Sequence, residues 1–129
     1  MKDEIFDRYK KIKNYSEFTP FTPRALVFKA VGSNNIIDFK KSKYWYIYVD
    51  ANKTITFQNA ALGEIYILKM KIESEKILTL PDNLRWPATA IFTNAEGINY
   101  IEFLYTTEDY EHYYYDVIAL LQGLKPPST

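Results

Sequence analysis

The only histidine of the chain lies between carboxylates in the stretch YTTEDYEHYYYD, residues 105–116. On an α-helix, Glu108, His112 and Asp116 would stand at i, i+4 and i+8 and share one face. Such a face can bind a metal ion or relay a proton through the imidazole. Structural zinc, however, prefers four thiolate or imidazole ligands, and the chain has one histidine and no cysteine. We therefore interpret this face as solvated and expect neither a metal site nor a cofactor.

The sequence motifs of the common enzyme classes are missing. There is no G-x-G-x-x-G, P-loop, H-E-x-x-H or G-x-S-x-G pattern, and the chain has only four glycines. The serines and threonines that could act as nucleophiles are isolated, and none neighbours the histidine in sequence. We predict a protein that is not an enzyme. A pair of carboxylates brought together by the fold remains an open alternative, since sequence spacing cannot reveal it.

Composition limits the class of protein. The 129 residues fit one domain, and 47% hydrophobic with 25% charged residues support a packed core. Sixteen basic and sixteen acidic residues give no net charge, which argues against nucleic acid as the partner. The absence of cysteine fits a reducing compartment. With neither a secretory signal nor an apolar run of about 20 residues, we expect a cytoplasmic protein without a transmembrane segment.

The chain begins with a predicted amphipathic helix over residues 3–15, followed by a linker over 16–24 that contains two prolines. Strands are then predicted across residues 25–104, where the hydrophobic period becomes two. The segments are 25–31, 36–39, 44–49, 54–58, 65–72, 75–80, 88–93 and 98–104, the second being a short strand or a bulged continuation of the first. We expect antiparallel hairpins between 44–49 and 54–58, between 65–72 and 75–80, and around Gly97.

A second helix is predicted over residues 107–122. Thr106 is a suitable N-cap, Asp109 completes a capping box, and Gly123 suits the position after the last turn. On this helix Tyr110 and Tyr114 would share an apolar stripe with Val117 and Leu121, so most of the tyrosines in the opening stretch would belong to the core. Residues 123–129 form a tail.

This order of elements is similar to the pleckstrin-homology-like superfold. The likeness is greatest over residues 88–122, where a strand, a turn at Gly97, the strand IEFLY and a Thr-Glu-Asp helix start follow one another. The strand pair YWYIYV and TITF also resembles the second and third strands of such domains. The resemblance implies an α+β fold: a small antiparallel seven-stranded barrel or curled sheet that a C-terminal helix caps, here with an added N-terminal helix.

Two surfaces are candidate binding sites. In YWYIYV, alternation places Tyr44, Tyr46 and Tyr48 on the face opposite the core residues. This tyrosine row could bind a protein, stack bases or be covered by the N-terminal helix. The loop with Arg85 and Trp86 has residue types enriched at interfaces, although the tryptophan could equally cap one end of the barrel.

A lysine cluster is the third candidate. Lys41 and Lys43 enter the strand 44–49 and Lys29 lies on the preceding strand, a pattern similar to the inositol-phosphate signature of some pleckstrin-homology domains. The alternative is a solvated charge run that protects a sheet edge. We predict an intracellular adaptor, inhibitor or immunity-type factor that binds an unidentified protein through Tyr44, Tyr46, Tyr48, Arg85 and Trp86. Anionic phospholipid binding by the three lysines is the alternative function.

Overall fold

A computed structural model describes residues 27–90 and 92–127, and every regular element in this part of the chain is a β-strand. The predicted N-terminal helix and the whole of the linker after it lie outside the described residues. The ten strands are β1 Lys29–Ala30, β2 Ile36–Asp38, β3 Tyr44–Val49, β4 Lys53–Thr54, β5 Thr56–Gln58, β6 Ile65–Ile72, β7 Leu78–Thr79, β8 Leu84–Arg85, β9 Gly97–Thr107 and β10 Tyr113–Leu124. No helix long and apolar enough to cross a membrane occurs in the described part.

The main sheet has six strands in the order β1-β3-β6-β9-β10-β8. Its first three strands run parallel, with Lys29 opposite Trp45 and Tyr44 opposite Ile67. Two small sheets, β2-β5 and β4-β7, are also parallel. The chain therefore advances as a coil in which each turn lies beside the previous one, as in solenoid folds. Asn35 and Asn59 adopt the left-handed conformation on either side of the small β2-β5 sheet, which suits sharp corners.

A long antiparallel hairpin of β9 and β10 continues the main sheet, and β8 pairs in parallel with β10 at its edge. β9 pairs with β6 on one side and with β10 on the other. β10 contains register shifts between Val117 and Ala119 and between Leu121 and Leu124. Asn99 is fully buried beside the far end of the hairpin, where its Nδ2 donates to the carbonyl of Ala95 and its Oδ1 accepts from the backbone N–H of Gly123. This side chain links the start of β9 to the end of β10.

The core lies between the inner face of the main sheet and the small sheets. Rings from both layers meet there, with Phe39 and Tyr66 at 4.0 Å and Phe57 and Phe103 at 5.4 Å between ring centroids. Tyr115 joins this cluster from β10, 5.3 Å from Phe103. The predicted core face of β3 is confirmed, since its Trp45, Ile47 and Val49 are buried.

The predicted α+β barrel with a C-terminal helix is wrong. Residues 113–124 form β10, the sheet is mixed and not closed, and the described part contains no helix. The Thr106 N-cap and the Asp109 capping box are therefore wrong as well. The physical reason is that Thr107 and Asp109 serve a hairpin loop: the Thr107 hydroxyl accepts from the N–H of Tyr110, and Asp109 accepts from the N–H groups of Glu111 and His112.

The hairpins predicted for 44–58 and 65–80 are also wrong. β3 pairs with β6, and the strands after β3 and β6 turn away into the small sheets, where β5 pairs with β2 and β4 with β7. The described residues of the predicted strand 88–93 form a loop. In the described part of the chain, only the two pairings of β9, with β6 and with β10, are antiparallel. Turn residues mark where the chain changes direction, but they do not identify the strand beside which the next segment lies.

Two glycines allow a test of the hairpin closure. Gly97 has a φ of 109°, and a Cβ there would lie 2.7 Å from the carbonyl oxygen of Leu124. Gly63 has a φ of 81°, but a Cβ there would meet nothing within 4 Å. We expect Gly63→Ala to cost about 1 kcal/mol of unfolding free energy from backbone strain alone. Gly97→Ala should cost about 3 kcal/mol because a main-chain clash adds to that strain. Urea unfolding of both variants measures the difference, and equal costs would contradict the close approach.

Candidate functional site

The outer face of the main sheet carries aromatic and charged side chains in rows across the strands. The register aligns Tyr46 with Lys69, Lys69 with Tyr100, and Tyr100 with Leu121. A parallel row aligns Tyr48 with Lys71. We call this outer surface the tyrosine–lysine face; it consists of Phe28, just before β1, and of residues on β3, β6 and β9, namely Tyr44, Tyr46, Tyr48, Lys69, Lys71 and Tyr100. The predicted tyrosine row thus lies on the side of β3 opposite the core.

Lys69 lies at the centre of this face. Its ammonium is 5.8 Å from the ring centroids of Phe28 and Tyr100 and 6.0 Å from that of Tyr46. The negative ring faces attract the cation at these distances. Within residues 27–90 and 92–127, no carboxylate forms an ion pair with Lys69, although the residue is half-buried. The face thus presents a cation that lies among aromatic rings and that no acid of the described residues neutralises.

Tyr48 and Lys71 form the neighbouring row. The Lys71 ammonium lies 5.6 Å from the centroid of the Tyr48 ring. The Tyr48 hydroxyl donates a hydrogen bond of 2.8 Å to Glu73, which raises the pKa of the phenol above its usual value. This bond fixes a ring that is 42% exposed, so its position is set before any partner arrives.

An apolar groove lies beside the tyrosine–lysine face. It has a volume of about 310 Å³ and is lined by Phe28, Ile67, Tyr100, Glu102, Ala119, Leu120 and Leu121. Ile67 is opposite Glu102, and Glu102 is opposite Ala119, so the groove crosses β6, β9 and β10. Glu102 is its one charged residue. Among the described residues this half-buried carboxylate has no ion-pair partner.

Arg85 lies away from the tyrosine–lysine face, and its guanidinium forms hydrogen bonds within the chain. Its Nε and Nη2 donate to the two oxygens of Asp116 at 2.6 and 2.8 Å, and its Nη1 donates to Glu108 at 2.7 Å. These bonds raise the pKa of the guanidinium above its usual range. The group also lies 4.2 Å from the centroid of the Tyr114 ring. Its visible role is to join β8 to the β9–β10 hairpin.

Trp86 is half-buried and stacks against Phe92, with 6.0 Å between ring centroids. It packs against the core cluster. The alternative we gave for it, a ring that caps one end of a barrel, is wrong because the sheet does not close into a barrel. Its use by a partner stays a prediction.

The helix face predicted for Glu108, His112 and Asp116 does not form. Glu108 and Asp116 both contact Arg85, whereas the Nδ1 of His112 lies 2.8 Å from an oxygen of Asp109. Ligand atoms of Asp109, Glu111 and His112 lie within 4.8 Å of one another, all on exposed side chains. Asp109 already accepts hydrogen bonds that close the loop, and these bonds explain why the three side chains lie close together.

The three lysines of the predicted phosphate site are separated by the fold. Lys29 and Lys41 line one concavity of about 350 Å³, together with Asp38. Lys43 is not among its lining residues, and its ammonium lies 2.5 Å from Glu64. Two lysines beside a carboxylate make a weaker anion site than three converging lysines.

Sequence reasoning missed Phe28, Lys69, Lys71 and Tyr100 as members of the candidate site. The signal was available in the period of two, because Lys69 and Lys71 alternate with buried residues in IYILKMKI. It could not be used without the register, which places these lysines beside the tyrosines of β3.

No family model matches this chain, and no match was found among curated proteins or among solved structures. The resemblance to the pleckstrin-homology-like superfold therefore stays a prediction.

The hairpin loop should show a specific pH dependence. Hydrogen bonds from the side chain and backbone of His112 and the backbone of Glu111 hold the pKa of Asp109 well below its ordinary value of 3.8. A lowered folded-state pKa stabilises the fold above the unfolded value and ceases to do so as the pH falls through the folded one. We expect Asp109→Asn to lower the melting temperature at pH 7 and this gap to narrow below pH 3.8. A gap that does not change with pH would contradict the hydrogen-bond assignment.

Proposed function

We propose that this chain is a non-catalytic interaction module, an adaptor or inhibitor, that binds an acidic segment of a partner protein on the tyrosine–lysine face. One observation carries the proposal. Lys69 is a half-buried residue whose ammonium lies 5.8 to 6.0 Å from the ring centroids of Phe28, Tyr46 and Tyr100, and no carboxylate in the described part of the chain pairs with it. A carboxylate from a partner would supply the missing counter-charge and form a charge-assisted hydrogen bond.

The surroundings of Lys69 favour a protein as this partner. Tyrosine rings bury large areas at interfaces and are enriched among the residues that contribute most to binding. Here they lie on paired strands, and Tyr48 is further fixed by Glu73. Rings that are already ordered lose little conformational entropy on binding.

Nucleic acid fits this face less well. Phosphate binding usually requires several cations that track the backbone, and the chain has no net charge. Glu73 borders the face through its bond to Tyr48, and Glu102 lies in the adjoining groove. A phosphate chain laid across the rows carries a charge on every nucleotide and would meet both carboxylates, whereas a single carboxylate of a protein partner would need only Lys69.

Anionic lipid is the weaker alternative. Its predicted cluster of Lys29, Lys41 and Lys43 is divided, since Lys43 pairs with Glu64 and the other two share their concavity with Asp38. Headgroup binding therefore enters the test below as a competing outcome.

The test uses the full chain, labelled with ¹⁵N, and a synthetic peptide of alternating glutamate and tyrosine. We expect the peptide to shift the amide resonances of Tyr46, Lys69 and Tyr100. Lys69→Gln should weaken binding about tenfold, or about 1.4 kcal/mol, because the unpaired ammonium is the proposed contact for a carboxylate. The dissociation constant from the titration measures the effect.

Lys40→Gln is the matched control, since it removes the same charge from an exposed turn outside the main sheet. It should leave the affinity unchanged. Three further probes identify other functions: a lysine–tyrosine peptide, an oligothymidylate, and vesicles that contain phosphatidylserine. Equal losses in the two variants, or tighter binding of any of these probes to the same face, would overturn the proposal.

A further inference from the structure

We infer that the apolar groove beside the tyrosine–lysine face is occupied by the amino-terminal segment of the same chain, residues 1–15. This intramolecular contact does not rest on the proposed function. Its occupant is identified by the shape and chemistry of the groove, by the point where the preceding chain reaches the sheet, and by the sequence of the segment itself.

The described residues leave apolar surface uncovered at the groove and near it. Leu121 is 57% exposed at the groove, and Ile118 and Leu124 on the same strand are also exposed. Ile65 adds to this surface from β6. Scattered apolar residues on a surface need no explanation, but an apolar groove lined by an exposed leucine is typical of a surface that something covers.

The second argument is the position at which the chain enters the described structure. The first described residue is Val27, and the next, Phe28, lines the groove itself. The Phe28 ring lies 6.3 Å from that of Tyr100. The 26 residues that precede Val27 are therefore tethered at the rim of this groove. A short tether gives an effective concentration on the order of millimolar, above that of most partners in free solution.

The third argument is the match between the segment and the groove. Its apolar residues Ile5, Phe6, Tyr9 and Ile12 recur at helical spacing and need an apolar surface to bury against. Polar residues Arg8, Lys10, Lys11 and Lys13 alternate with them. The groove offers Glu102 as its one charge, without a cation among the described residues, so a lysine of the segment would complement it.

The stretch between Ile12 and Val27 is long enough for residues 1–15 to reach the groove. Fully extended, it spans roughly 45 Å, which exceeds the width of a six-stranded sheet at about 4.8 Å per strand. Pro20 and Pro23 favour an extended path for it. The segment can therefore lie across β6, β9 and β10 without strain in the connection.

The test exploits the absence of cysteine, which allows a nitroxide spin label to be attached at one chosen position. One variant of the full chain carries Leu121→Cys at the groove. The matched control carries Ile77→Cys, a residue of similar exposure, 52%, in the loop before β7. We expect the label at position 121 to broaden the amide resonances of residues 5–12 and the label at position 77 to leave them sharp.

A mixed sample distinguishes a contact within one chain from a contact between two copies of the chain. Unlabelled protein with the nitroxide at position 121 is added to ¹⁵N-labelled protein without it. Broadening in this mixture would show that a second copy fills the groove, and it would overturn the intramolecular assignment. Sharp signals for residues 5–12 in both single-label samples would overturn it as well.

A pair of substitutions supplies an independent readout. Phe6→Ser should shift the groove resonances of Tyr100 and Leu121, whereas Asp7→Ser, one position along on the polar side, should leave them in place. Unchanged groove resonances in both variants would contradict the inference. Tyr100 is common to this readout and to the glutamate–tyrosine peptide titration, but Lys69 and Tyr46 do not line the groove and Leu121 does. Lys69 and Tyr46 therefore report on the proposed function alone, and Leu121 on this inference alone.

Discussion

The parallel register between β3 and β6 is the constraint on which the rest of the structure depends. Tyr44 lies opposite Ile67 and Val49 opposite Ile72, with every pair between them in step. Because side chains alternate along a strand, one register fixes both faces of the sheet together. It places Trp45 and Ile47 beside Leu68 and Met70 in the core and, on the other side, Tyr46 beside Lys69. A slip by one residue would bury lysines.

The β9–β10 hairpin completes the core of the parallel strands β1, β3 and β6. β9 covers the open side of β6, and β10 brings Tyr115 into contact with Phe103 and Phe57. Side-chain hydrogen bonds stabilise both ends of the hairpin, and different residues form them at each end. Asn99 satisfies backbone groups near one end, and the loop bonds of Asp109 and Thr107 close the other. The bonds of buried Asn99 satisfy polar groups that would be costly to leave unpaired. The exposed loop bonds fix the conformation of the turn.

Among the described residues, some cations pair with carboxylates and others do not. Lys43 pairs with Glu64, and Arg85 with Asp116 and Glu108, so these charges hold elements of the fold together. Lys69 and Lys71 instead lie over aromatic rings of the outer face. Cation–π contact orders an ammonium without neutralising it, which leaves its charge available to a partner. The division explains why the functional proposal centres on Lys69 and not on Arg85.

The sequence by itself determined the local features that depend on neighbouring residues. Alternation in YWYIYV correctly predicted which side of β3 is buried, and the bounds of β3 and β6 agree with the predicted strands. The tyrosine row was likewise visible as a surface. These features follow from the period of two, which a single segment carries without reference to any other.

The tertiary structure decided strand pairing, the nature of residues 113–124 and the membership of the candidate site. Register shifts after Val117 and Leu121 interrupt the alternation of β10, so its apolar residues imitate a helical period although pairing with β9 makes it a strand. Thr107 and Asp109 can bond equally well to a helix end or a hairpin loop. The parallel partner of each coil strand lies a full turn away in sequence. Lys69 lies beside Tyr46 only because of that long-range pairing. The local sequence of β3 does not identify β6 as its neighbouring strand.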